Sequence, residues 1–293
     1  MPPTITELRK IARQRSALLR ASESGLLERT ATLERKLNTY VLNTLIPSLD
    51  IRNNRITNTN RNLKIINNPA SLKTFIKNVV NADLYKYYNN SFNRLNDATS
   101  LYYDKFLPTK AATEKIYNRA STISSGYVDE LFDNNDIVRQ VQNSIRANII
   151  AEARVSDVKS LMTEVIKGRE NKFGAITSFH YKNGFDSFQK YSRGLDEQFS
   201  KALKLNYAIY AGGEIKTTRP FCEERAGNVY NRETILEWND LEWSGKIPDG
   251  NILTDLGGYN CRHDLDWISF ELAKRIDPDI EKSKFDKEEK KAK

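Results

Sequence analysis

The chain has 293 residues, of which 39% are apolar and 29% charged, with a formal net charge of +8 and only two cysteines. That is room for one large domain or two modest ones with arms, and it excludes both a disulfide-framed mini-protein and a wholly disordered chain. No run of 18 uncharged apolar residues occurs, and the opening MPPTITELRKIARQRS has charges where a secretory leader needs its apolar stretch, so neither a membrane-spanning nor a leader-directed secreted chain is expected.

From Thr4 to about Leu45, Leu8, Ile11, Leu18, Leu19, Leu26, Leu33, Leu37, Val41 and Leu45 recur at threes, fours and sevens, which predicts a long amphipathic helix that Gly25 kinks or splits and Pro47 closes. Residues 51–69, rich in Asn and Arg, read as a turn-rich or extended connector, disordered until it meets a partner. Helical spacing resumes after Ser71, a candidate N-cap, and breaks near Pro108. Further helices follow with Ile116, Tyr117, Val128, Leu131 and Phe132, then at 137–149, after Ser156 up to Gly168, and at 171–209. Tyr207 to Tyr210 then reads as a strand, Asn231 starts a helix, and Tyr259 to Ser269 alternates as a strand does.

The fold class expected is therefore mainly α with long N-terminal helices, plus a small α+β C-terminal module. The expected divisions are 1–108, a helical arm with its connector at about 47–70; 109–205, a helical middle domain; 206–272, a separate module; and 273–293, a charged, disordered tail. Charge is segmental. Residues 1–50 carry 8 basic and 5 acidic side chains, 51–125 carry 12 and 4, and 126–293 carry 26 and 29, giving +3, +8 and −3. The middle segment, with Arg52, Arg55, Arg61, Lys64, Lys73 and Lys77, is the expected contact surface for an acidic partner or for DNA.

Cys222 and Cys261-Arg262-His263 are the residues with chemistry to offer. Extended backbone would point Cys261 and His263 to one side, so that with Cys222 they supply three zinc-type ligands. His180, Glu223, Asp264 or water could be the fourth. Packed thiols with a hydrogen-bonded His, or a Cys222–Cys261 disulfide, are the other readings of the same residues. Arg219 or Arg262 is expected to pair with Asp264 or Asp266 on the opposite face of the last strand. No phosphate-loop spacing is present, and Cys222 with His263 lacks a third, orienting residue for nucleophilic catalysis.

The strings YAIYAGGEIKTTRPFCEERAGNVYNRETILEW and GGYNCRHDLDWIS resemble the C-terminal domain of the minor head, or head morphogenesis, proteins of tailed bacteriophages, the group that includes the phage Mu minor head protein. The resemblance rests on Thr218-Arg219, Cys222, Gly227, Gly257-Gly258 and Asn260-Cys261-Arg262-His263. It covers roughly residues 150–270, and Thr217 stands where family members commonly carry an acid. It implies a non-enzymatic virion protein of the head, made in the cytoplasm of an infected bacterium, with a structural Cys/His cluster. The implied partners are the portal protein, the major capsid protein or packaged double-stranded DNA, with no membrane. The rival readings are a nuclease or toxin-like effector using His263, Arg262 and Glu223, and a general nucleic-acid-binding protein.

Overall fold

A computed structural model describes residues 3–68, 70–106 and 136–288. The protein is mainly α with long N-terminal helices, and a few short strands lie toward its C-terminal end. The described chain forms two compact units, each drawn from separate stretches. Unit 1 takes 3–21, 91–106 and 185–288, and unit 2 takes 22–68, 70–90 and 136–184. Contacts thus divide the chain away from the expected boundaries at 108 and 205, and residues 206–272 are not a separate module. The stretch after Leu205 shares one core with Leu8, Ala12, Tyr102, Tyr103 and Phe199.

The first helix, α1 (Ile5–Tyr40), has the predicted stripe. Leu8, Ala12, Leu19, Leu26, Leu33 and Leu37 are buried at intervals of four and seven. Gly25 neither kinks nor splits it. Glycine is needed because a Cβ would collide with the Tyr87 hydroxyl, which donates to the Ser22 carbonyl at 2.7 Å. A π-turn (Val41–Leu45) and a 3₁₀ turn (Ile46–Ser48) containing Pro47 end the helical run, and Leu49 is extended.

The expected disordered connector is ordered. Strands β1 (Ile51–Arg52) and β2 (Arg55–Ile56) form a two-residue hairpin whose turn residues, Asn53 and Asn54, both take positive φ, 47° and 59°. Asn tolerates that conformation better than most residues, which is why an Asn-rich string can be a defined turn. Helix α2 (Asn60–Asn67) follows, capped by Thr59. Asn62, fully buried, clips the hairpin down: its Oδ1 accepts from the Asp50 N–H at 2.7 Å, and its Nδ2 donates to the carbonyls of Asp50 and Thr57 at 3.0 and 2.8 Å.

Helix α3 (Ala70–Phe75) places Ser71 inside rather than at its cap, and a π-turn (Ile76–Asn81) leads into α4 (Ala82–Tyr103). The predicted break at Pro108 and the helices expected to carry Ile116 through Phe132 lie outside the described residues. Helix α5 (Asp136–Ile150) precedes α6 (Val155–Lys167), whose N-cap is Arg154 rather than Ser156 and whose C-cap is Gly168 at φ 82°. A second small hairpin, β3 (Gly168–Arg169) with β4 (Lys172–Phe173), leads to α7 (Ala175–Leu203).

In unit 1, β5 (Tyr207–Ala211) is the central strand of a three-stranded antiparallel sheet, flanked by β6 (Val229–Asn231) and β7 (Asp264–Ile268). The register sets Ala208 opposite Trp267, Ile209 opposite Asp266 and Tyr210 opposite Leu265. Short helices α8 (Pro220–Glu223), α9 (Arg232–Glu237), α10 (Ile252–Asp255) and α11 (Phe270–Ile276) surround the sheet in sequence, and Asn231 caps α9 as its spacing predicts. The tail expected to be disordered is anchored through α12 (Lys284–Glu288). Asp286 accepts from the Tyr207 hydroxyl at 2.5 Å and from Asn206 at 2.8 Å, and the buried Ser283 hydroxyl donates to Glu233 at 2.9 Å. Residues 289–293 lie outside the described part. Among the described residues, no helix is long and apolar enough to cross a membrane.

Replacing Asn62 with Ala leaves the Asp50 N–H without its partner, while the Asp50 and Thr57 carbonyls keep bonds from Thr57 and Thr59, and should destabilise the protein by about 1–3 kcal/mol. Urea denaturation of the full-length variant measures this. A loss under about 0.5 kcal/mol, the size of an ordinary surface change, would show that the clip does not hold the hairpin.

Candidate metal centre

The C-terminal half of α7 is buried nearly all round, yet it carries charges at three core positions: Arg193, Asp196 and Glu197. A helix without a solvent face must satisfy such groups inside the protein, so each becomes a fixed attachment point. Arg193 is the anchor of the site. Its guanidinium donates to the carbonyls of His263 (2.7 and 3.0 Å), Cys261 (2.7 Å), Thr254 (2.9 Å) and Asp255 (3.3 Å). One side chain thereby saturates the carbonyls of a loop that otherwise lacks ladder partners.

Extended backbone ahead of β7 then separates three neighbours. Cys261 and His263 are buried and Arg262 is exposed, the alternation expected from sequence, although β7 itself begins only at Asp264. Cys222 comes from the one-turn helix α8, started by Pro220 at its first turn. Both cysteines are free thiols, so the disulfide reading does not hold. The ligand atoms of Cys222, Cys261 and His263 all lie within 4.8 Å of one another, with Cys261 Sγ and His263 Nδ1 3.9 Å apart. The three form a group that can hold a metal ion.

The packing leaves no slack around it. At Gly257 a Cβ would run into both sulfurs, and at Gly212, with φ 148°, it would run into the His263 ring. The Tyr210 ring lies against His263, with centroids 5.2 Å apart. Trp243 stacks on Phe221 at 4.0 Å and donates its indole N–H to the Gly257 carbonyl at 3.0 Å. His263 Nε2 is buried with no hydrogen-bond partner.

The two thiols are electrostatically unequal. The Cys261 thiol is held below its ordinary range, first by a hydrogen bond from Cys222, then by the Arg193 charge and by His263. Cys222 is pushed up by the same hydrogen bond and by burial. Of the two, Cys261 has the surroundings that favour the thiolate, the form in which sulfur ligates metals.

Of the other candidate ligands, Glu223 is exposed, and Asp264 lies 3.7 Å from Arg193; neither belongs to the group. His180 sits in unit 2, where its Nδ1 is 3.0 Å from the Tyr88 hydroxyl and burial lowers its pKa to about 4. The motif residues serve turns and close crossings within unit 1. Thr218 closes a turn with Ile215 (2.7 and 2.8 Å), Arg219 donates to the Tyr259 carbonyl at 2.6 Å, and Gly227, at φ 81°, donates to the Tyr210 carbonyl at 2.9 Å. Gly258, at φ 91°, lies so close to the Gly245 carbonyl that no Cβ fits.

The expected ion pairs exist with different cations. Arg15 of α1, not Arg219 or Arg262, binds Asp266 at 2.7 Å and Asp196 at 2.5 Å, and Tyr103 donates to Asp196 at 2.9 Å. Arg15 occupies a position in the buried stripe of α1, and that misplaced charge was the sequence signal for it. Arg232 completes the set, binding Glu197 at 2.8 Å and lying 3.9 Å over the Trp267 ring. In unit 2, Arg55 ties the hairpin to the turn after α5 through the Glu152 carbonyl, and Arg61 pairs with Asp50; Arg52, Lys64, Lys73 and Lys77 are exposed.

No family model, no curated protein and no solved structure matches this chain.

Arg15 supplies one positive charge to two buried carboxylates, and burial raises Asp196 to about 7 and Asp266 to about 6. A folded-state pKa above the unfolded value contributes stability at low pH that is lost as pH rises through it. Between pH 5 and 7 this pair should therefore lower stability by about 1.4 kcal/mol per pH unit for each proton retained only in the folded state. Denaturant melts of wild type and Asp196→Asn across pH 5–8 test it: the variant should show the shallower decline, and parallel curves would refute the protonated pair.

Proposed function

We propose that the protein is a structural component of a tailed-bacteriophage head, a minor head protein acting in capsid assembly at or near the portal. The observation that carries this reading is that three of the residues on which the resemblance rests, Cys222, Cys261 and His263, form one buried cluster. Thr218 and Arg219 shape the entry to α8, Gly257 and Gly258 make room for the sulfurs and for a close backbone crossing, and Cys222, Cys261 and His263 form the cluster. The role of the cluster is structural, because it ties the α8 helix to the strand-forming loop deep in unit 1, beneath the chain rather than open to a substrate. The partners of this reading are the portal protein, the major capsid protein and packaged DNA. Its place is the virion head, after assembly in the bacterial cytoplasm.

The metal of the cluster is zinc in this reading. Two sulfurs and an imidazole suit it, and a tetrahedral zinc sets such ligand atoms about 3.5–3.8 Å apart, close to the 3.9 Å between Cys261 Sγ and His263 Nδ1.

Mass spectrometry of purified particles of the phage encoding the chain tests the head assignment. Its peptides should be present in mature virions or proheads, and their absence from both refutes it. For zinc, elemental analysis should give close to one equivalent, and chelator should lower the melting temperature of wild type but not of Cys261→Ser. Without metal, Cys261→Ser would cost only about 1–3 kcal/mol as a packing change and be indifferent to chelator. Less than about half an equivalent, with no chelator effect, rules zinc out.

A further inference from the structure

The first four turns of α1 carry a feature that charge totals conceal. Between Leu8 and Ala21 there are five basic residues and no acidic one. Arg9, Arg13 and Arg20 fall at steps of four and seven, each directly after a buried residue, Leu8, Ala12 or Leu19. They therefore form one row along the edge of the buried stripe, exposed and without an ion-pair partner among the described residues. Their span of 11 residues is about 16 Å of helix.

That row is one wall of a cleft of about 430 Å³ in unit 1. The opposite wall is the β5 end, with Gly212 and Gly213, and the loop that presents Arg262. Cys261 and His263 turn inward and Arg262 outward, so the buried cluster holds this fourth arginine at the cleft. Asp264 and Asp266 also line it, but Asp266 is bound by Arg15 at 2.7 Å and Asp264 faces Arg193 at 3.7 Å, so buried cations offset both. The exposed groups at the mouth are four guanidiniums, whose planar forks match phosphate oxygens.

We propose that this cleft binds the phosphate backbone of DNA, with Arg9, Arg13, Arg20 and Arg262 as the contacts. The length of the row selects the ligand. A single phosphate or pyrophosphate engages one or two forks, whereas a row of about 16 Å matches consecutive phosphates of a strand. The choice of DNA rests on the head reading; the cleft itself calls only for a run of phosphodiesters. This places the DNA contact in unit 1, on α1, instead of on the 51–125 segment that total charge favours.

Fluorescence anisotropy with a labelled 20-base-pair duplex and the full-length protein tests the proposal. Affinity should fall steeply between 50 and 200 mM salt, with a log–log slope near −3 to −4 for three or four phosphates. Arg9→Gln/Arg13→Gln/Arg20→Gln should bind at least about tenfold more weakly at 50 mM salt and flatten the slope by about 2–3, and Arg262→Gln should flatten it by about 1. Removing as much charge elsewhere, with Lys36→Gln/Lys167→Gln/Lys172→Gln, should leave binding within about twofold. All six positions are exposed, so circular dichroism should show each variant folded. Wild-type affinity and slope in the arginine variant would overturn the proposal, as would equal competition by inorganic pyrophosphate at matched phosphate concentration, which would mark a small-phosphate site. The two readings fail separately: loss of DNA binding in the arginine variant with no peptides in particles removes the head assignment alone, and unchanged binding with peptides present removes the cleft alone.

Discussion

Everything near the C-terminal end of the chain hangs on one buried guanidinium. Arg193 projects from a helix with almost no solvent face and binds four backbone carbonyls between Thr254 and His263. A buried cation is costly unless it is fully bonded, and buried carbonyls need donors, so each requirement meets the other. With the loop held this way, Cys261 and His263 turn toward Cys222, β7 begins in register with β5, and Arg262 is left outside. Lysine could not substitute, because a single ammonium has neither the reach nor the fixed fork to serve so many carbonyls at once.

Asp196 and Glu197, three and four residues further on, repeat the principle toward other partners. Asp196 receives Arg15, Glu197 receives Arg232, and Arg232 also covers the face of Trp267. A few buried polar groups on one helix thus specify where α1, the sheet and α9 sit, where apolar packing alone would tolerate sliding. The strength of such networks lies in selecting one arrangement more than in adding net stability.

How much of this could be read from the sequence depends on the range of the interactions. The α1 stripe, the Asn231 cap, the Gly168 stop and the inward Cys261 and His263 are properties of local spacing, and all are present. The hairpin at Asn53-Asn54 escaped because positive φ at two asparagines looks, in sequence, like any polar loop. The order of the tail escaped because its anchors, Tyr207 and Glu233, lie 50 to 79 residues away. The partners of Asp264 and Asp266 were sought among nearby arginines, whereas Arg193 and Arg15 reach them across 71 and 251 residues. The arginine row of α1 was lost by averaging over fifty residues that include Glu23, Glu28 and Glu34.

The separation between Arg15 and Asp266 also sets an order of events during synthesis. Arg15 emerges from the ribosome 251 residues ahead of its second carboxylate, a wait of roughly 13–50 s at 5–20 residues per second. Through that interval the leading stretch of α1 has no sheet to cover, and its apolar stripe is open to any chaperone or neighbouring nascent chain. A gene fragment encoding only the last ninety residues would make a protein in which Asp266 is buried without a counter-charge, so the C-terminal unit is not transferable as a cassette. Its first segment is encoded far upstream of the rest.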